Sequence, residues 1–131
     1  MKIETSGQPL GISLSGVYTP LISTTINMDP TTPPTITEAQ YMRVGNTATV
    51  SGRFTAKPLL TATSTSFEIS LPISSNIGSI EQVSGTAVCG LIYGLVAAIL
   101  GSITNKTALI RWVSSDVNSG SYAYHFTYSI I

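Results

Sequence analysis

YMRVGNTATVSGRFTAK (Tyr41–Lys57) and SFEISLPI (Ser66–Ile73) decide the reading of this chain. Both alternate apolar and polar residues. In the first, Ala48, Val50, Gly52, Phe54 and Ala56 fall on one side, and Thr47, Thr49, Ser51, Arg53 and Thr55 on the other. In the second, Phe67, Ile69, Leu71 and Ile73 oppose Ser66, Glu68 and Ser70. Successive side chains leave a pleated strand on opposite faces, so a period of two predicts strands with one buried side. Gly45-Asn46 ahead of the first strand tolerates positive φ and predicts a hairpin turn.

Outward from this stretch, the same pattern recurs. Residues 16–28 are β-prone, with Pro20 confining them to an edge, a strand start or a bulge. Asp29–Thr35 holds Asp29-Pro30 and Pro33-Pro34 and predicts a loop. Residues 36–44 predict a strand, followed by strands at 47–57 and 65–73. Ser74–Ser79 has turn chemistry. Strands are predicted at 82–93, 95–103 and 107–113, then a turn at Ser114–Gly120 with Asp116 and Asn118 as backbone caps. The last strand, 121–131, places Tyr122, Tyr124, Phe126, Tyr128 and Ile130 on one side. That aromatic stripe reads as a core or interface face first and a sugar-stacking platform second. Ile130 and Ile131 require cover from the core or a neighbouring subunit. The fold class is all-β: an antiparallel β-sandwich, jelly-roll-like, of about eight strands. The predicted organisation is an extended lead-in at 1–15 and one β-sandwich domain at 16–131.

With 131 residues the chain is one domain, long enough to bury a core. Its six basic and six acidic residues cancel, and charged residues are 9% of the total. No basic face for nucleic acid is expected. Hydroxyls rather than ions cover the polar faces. Near-zero net charge gives little repulsion between molecules, which hints at an oligomer. The single cysteine, Cys89, excludes an intrachain disulfide and reads as a small buried hydrophobe. Met1–Gly11 lacks the apolar core and cleavage site of a secretory leader.

Thr86–Thr104 is uncharged for about the length of a spanning helix, and Gly90 and Gly94 have the spacing of a helix-dimer motif. Glycines at strand-like intervals and hydroxyl-rich flanks favour two buried strands with a tight turn near Gly94. No membrane insertion is expected.

Chemistry-bearing clusters are sparse. Glu4, Asp29, Glu38, Glu68, Glu81 and Asp116 are scattered, and His125 is the only histidine. No metal-ligand spacing, phosphate loop or nucleophile elbow occurs. Catalytic, metal and cofactor residues are therefore all predicted to be none, and a carboxylate pair from Glu38, Glu68 and Glu81 is a remote alternative. Asn105-Lys106-Thr107 is formally a glycosylation triplet and reads as a turn. Arg43, Arg53 and Arg111 lie at polar strand positions. They are expected to snorkel or to pair with a cross-strand acid such as Glu68. Their functional reading is contact with a subunit or a glycan. Trp112, Tyr122, Tyr124 and His125 complete the candidate receptor or interface contacts.

The residues Tyr41, Arg43, Val44, Gly45 and Asn46, then Thr49–Gly52, then Leu71-Pro72-Ile73 resemble a C-terminal module of tailed-bacteriophage virion proteins, such as tail fibres, head fibres and receptor-binding tips. The likeness continues through GTAVCGLIYGLVAAILG, TALIRWVSSD and SYAYHFTYSII and covers residues 16–131. The strongly apolar GLIYGLVAAILG departs from it and suggests a buried pair at a trimer axis. The resemblance implies a β-sandwich, a homotrimer and a place on the virion surface among other virion proteins, after synthesis in the host cytoplasm. It supplies no catalytic residue. The expected function is attachment to a host-surface glycan or protein. A structural trimerisation or capsid-decoration cap is the alternative, and a polysaccharide depolymerase a remote one.

Overall fold

The computed structural model describes residues 13–92 and 94–131. Its strands are β1 (Ser13–Tyr18), β2 (Ile22–Ile26), β3 (Thr35–Ile36), β4 (Ala39–Val44), β5 (Thr47–Ala56), β6 (Ser64–Ile69), β7 (Val83–Cys89), β8 (Val96–Ser102), β9 (Thr107–Val113) and β10 (Gly120–Ser129). A single 3-10 turn, Ile80–Gln82, is the helical element among them. The chain is all-β and antiparallel. Among the described residues no helix is long and apolar enough to cross a membrane.

Ten strands stand where about eight were expected, because two predicted strands are each interrupted. The predicted 16–28 strand breaks at Thr19–Leu21 around Pro20, whose missing N–H cannot continue a ladder. The predicted 36–44 strand breaks at Thr37-Glu38. There Ile36 pairs with Phe54 and Gln40 with Ser51, so one extra residue is accommodated opposite β5. The lead-in is also shorter than expected: Ser13–Ser15 pair with Met42–Val44 in β4. The rest of it, residues 1–12, lies outside the described residues.

The strands form one hydrogen-bonded path, β1-β4-β5-β10-β7-β8-β9-β6-β2, with β3 also on β5. A sandwich would divide them into two sheets; here a single sheet curls into a half-barrel. Its two outermost strands, β1 and β2, are consecutive in the chain. The Tyr18 hydroxyl donates to the Ser70 carbonyl at 2.9 Å, and the Leu21 N–H donates to Ser70 Oγ at 2.9 Å. The short β1–β2 joint is thus fastened to the end of β6, and the sheet is drawn round on itself.

The inward residues fill the curl. Phe54 stacks on Tyr122 with centroids 4.7 Å apart and meets Phe67 edge-on at 4.9 Å. Phe54 and Tyr122 are cross-strand partners on adjacent β5 and β10, whereas β5 and β6 are far apart along the path, so the Phe54–Phe67 contact is made across the interior. Each such ring contributes about 2–3 kcal/mol on burial. Gly85 is required by close approach: a Cβ there would lie 2.5 Å from Phe126 Cα. Gly45 takes φ +61 in the β4–β5 hairpin, the conformation for which glycine is suited. The aromatic stripe of β10 is core: Tyr122, Tyr124, Phe126 and Tyr128 are all buried.

The apolar run 86–104 does form two strands, with Gly94 at φ +82 between them. They are not buried on both faces. Ala87, Cys89, Ala97 and Ile99 point inward, while Val88 and Val96 point outward. Over β7 and β8 no second layer of described residues covers the outer face of the sheet.

Candidate functional site

The two ends of the half-barrel differ. At one end residues that follow β7 (Leu91, Ile92 and Leu95) and β9 (Ser115, Asp116, Asn118 and Ser119) surround a cavity of about 270 Å³. Cys89, Trp112 and Tyr122 supply its floor, Pro58, Ile92 and Leu95 its apolar wall, and Ser115, Asp116, Asn118 and Ser119 its polar rim. Trp112 and Tyr122 are 4% and 3% exposed, and their centroids are 5.2 Å apart. They are core rings with an edge at the cavity, not exposed stacking platforms. Burial pushes the Tyr122 hydroxyl above its ordinary pKa, and the Cys89 thiol and Asp116 push it further. The indole Nε1 of Trp112 is buried without a hydrogen-bond partner among the described residues. Its surroundings are the rings of Phe54, Phe67 and Tyr122, whose faces are at best weak acceptors.

Local sequence shapes the rim. Asp116 Oδ1 accepts from the Asn118 N–H at 2.9 Å, closing an Asx-type turn. Ser114 Oγ donates to the Leu60 carbonyl at 2.6 Å and ties the start of this loop to the β5–β6 connection. On the neighbouring loop, Lys57 donates to Asp29 Oδ2 at 2.9 Å. That bond, with those from Thr31, lowers the Asp29 pKa to about 2.

A second concavity lies on the outer face over β5, β10 and β7. Glu38, Gln40, Ser51, Arg53, Thr86 and His125 line this open groove of about 470 Å³. Arg53 stands opposite Ala123, and His125 between Ser51 and Thr86, so small neighbours leave both exposed. Tyr124 belongs to the inner face beneath. Its hydroxyl occupies the space a side chain on Gly52 would need: a Cβ there would lie 2.8 Å from it. Burial raises that phenol to about 12.

The seven sequence candidates therefore separate. Trp112 and Tyr122 meet at the end cavity; Arg53, His125 and the edge of Tyr124 meet at the outer groove. Arg111 lies exposed on the outer face between Ala98 and Ser66. Arg43 is a correction. It pairs with buried Ala48, which puts it on the inner side, and its Nε donates to the Gly45 carbonyl at 2.7 Å. Its position at the hairpin end, where the interior meets solvent, admits the charged head. Glu68 pairs with no arginine among the described residues. It is buried and accepts from Asn105 Nδ2 at 3.0 Å and from Thr107 Oγ1. The glycosylation triplet is thus used as a turn that satisfies a buried carboxylate.

Sequence reading missed Cys89, Ile92, Leu95 and Pro58 as cavity residues. A usable signal was present: β7 and β9 run in the same direction on either side of β8, so the segments that follow them emerge together. Among the described residues, no group of three or more His, Cys, Asp or Glu is arranged to hold a metal. Asp116 lies at the end cavity and His125 on the outer face, so these two do not share a site. No family model matches the chain, and no curated protein or solved structure matches it either.

Proposed function

We propose that this chain is a virion-surface module of a tailed bacteriophage, homotrimeric, that attaches the particle to a host-surface glycan or protein and catalyses no reaction. The observation that carries the reading is the outer face of β7–β9. Val88, Val96 and Val113 are 50%, 50% and 64% exposed there, beside Ala98 and Leu100, on a molecule with few charges to keep copies apart. Exposed apolar surface of this kind marks a contact with another macromolecule, and a second and third copy of the same chain supply it. The subunits meet through β8, and the open cavity end is left for attachment.

Burial of Trp112 and Tyr122 favours the structural alternative, a trimerisation or capsid-decoration cap, because buried rings cannot stack on a receptor sugar. Two measurements separate the readings. Native mass spectrometry at micromolar concentration yields three copies, and Val96→Glu, which places a charge on the contact face, yields monomer. A well-behaved wild-type monomer overturns the oligomer. Fluorescently labelled trimer then binds host cells; a trimer that binds no cells is the structural cap.

A further inference from the structure

The end cavity has a chemical character that narrows what it takes. Its floor and wall are apolar: Cys89, Ile92, Leu95, Trp112 and Tyr122. Its rim is hydroxyl, amide and one carboxylate, Asp116, and among the described residues no Lys or Arg lines it. An anionic ligand would meet Asp116 without a compensating cation. A wholly apolar ligand would leave the rim unpaired. At about 270 Å³ the space is slightly below the range of sites for drug-sized ligands, ~300–1,000 Å³, and suits one ring or the substituent of one ring. The occupant is therefore small, neutral and amphipathic, with a donor for the carboxylate. Asp116 Oδ1 is already engaged by the Asn118 N–H. Oδ2 has no hydrogen-bond partner among the described residues, so the carboxylate keeps an acceptor to offer a ligand.

We infer that this cavity is a subsite for an N-acetylated hexosamine of a surface polysaccharide. The acetamido group joins a methyl, an N–H and a carbonyl in one plane. Its methyl packs against Leu95 and Ile92, its N–H donates to Asp116, and the ring hydroxyls meet Ser115, Asn118 and Ser119. Buried Trp112 and Tyr122 back the methyl instead of stacking on the ring. The inference rests on the attachment reading and gives it a ligand class.

Two probes inside the site report occupancy directly. Cys89 is the only cysteine and Trp112 the only tryptophan in the chain. Iodoacetamide alkylation of Cys89, followed by intact mass, and Trp112 fluorescence are recorded against N-acetylglucosamine and N-acetylgalactosamine, with glucose, galactose and glucosamine as controls. An acetamido sugar slows alkylation at least fivefold and changes the fluorescence. The parent sugars bind about tenfold more weakly, the scale on which one apolar group discriminates. Asp116→Asn, which keeps the size, weakens binding about tenfold with an unchanged unfolding midpoint. Equal responses to acetylated and parent sugars overturn the inference. So does the absence of any response to both acetamido sugars, or an undiminished affinity in Asp116→Asn. If Asp116→Asn trimer still binds host cells as wild type does, attachment stands and this subsite falls. If acetamido sugars occupy the cavity but no cells are bound, the subsite stands and the attachment reading falls.

Discussion

The two ends of the curled sheet are made from the same strands and finished in opposite ways. At the closed end the segment Ser70–Ser79 folds across the opening. Ile77 is fully buried there, and Gly101 makes room for it, since a Cβ at that glycine would lie 2.9 Å from Ile77 Cδ1. The Tyr128 hydroxyl accepts from the Ile73 N–H and donates to the Ile73 carbonyl. Ser75 Oγ donates to the Ser129 carbonyl, and Lys106 Nζ to the Ile77 carbonyl. The Gln82 side chain holds the Gly78 and Ser79 N–H groups. At the open end, by contrast, Leu91 is 70% exposed beside the cavity, and bonds such as Ser114 Oγ to the Leu60 carbonyl join the surrounding loops without filling the space between them. A plug of one isoleucine and a set of hydroxyl bonds makes one end structural. Its absence at the other leaves apolar walls for a ligand.

The largest test of this contrast is a pair of truncations. Ile77→Ala lowers the unfolding free energy by about 2–5 kcal/mol in denaturant titration, the cost of a cavity in a packed site. Leu91→Ala changes it by about 0.5 kcal/mol or less, as expected of an exposed side chain. Equal losses would break the comparison.

A smaller effect is expected from Tyr128→Phe, which keeps the ring and removes both bonds to Ile73. It costs about 1–2 kcal/mol, because a partly buried N–H and carbonyl are left unpaired. Amide exchange from Ile73 to Asn76 accelerates while exchange in β9 near the open end does not. Acceleration spread evenly over both ends would mean that the hydroxyl latch is not what closes this one.

The smallest effect concerns acid and the open end. Asp29 has a folded pKa of about 2, below the ordinary carboxylate value of about 4, chiefly through its bond to Lys57. A depressed pKa stabilises the folded state above the ordinary value, and this is lost as pH falls toward 2. Thermal melts of wild type and Asp29→Asn therefore differ at pH 7 and converge near pH 2. The pair is partly exposed, so the difference at pH 7 is small and shrinks in high salt. A difference that persists unchanged at pH 2 would remove Asp29 titration from the account.

Much of the strand inventory was legible. β5 and β10 follow the alternation of Thr47–Ala56 and Tyr122–Tyr128 almost residue for residue, and the Gly45-Asn46 turn lies where its chemistry predicts. The N-terminal strands were less so, because Pro20 and the extra residue near Thr37 interrupt segments whose composition is uniformly β-prone. For the site, Trp112, Tyr122 and the Ser114–Gly120 loop were identifiable as residues. Their burial was not, since an aromatic at an inward position looks the same whether its edge meets protein or solvent. Arg43 was misplaced for a related reason. Alternation assigns a charged residue to the outer face, but a strand end lets a long side chain lie on the inner side and bond back to the hairpin.

By itself the sequence determined the β class, most strand positions, their inward faces and the main turns. These follow from steric rules acting over two to four neighbouring residues. Only the tertiary structure decided that the strands make one curled sheet, that β1 and β2 tie its edges at Ser70, and that one end is plugged while the other is open. Those outcomes depend on bonds such as Tyr18–Ser70 and Tyr128–Ile73, which join residues 52 and 55 positions apart. Each hydroxyl involved is locally indistinguishable from the others that merely face water.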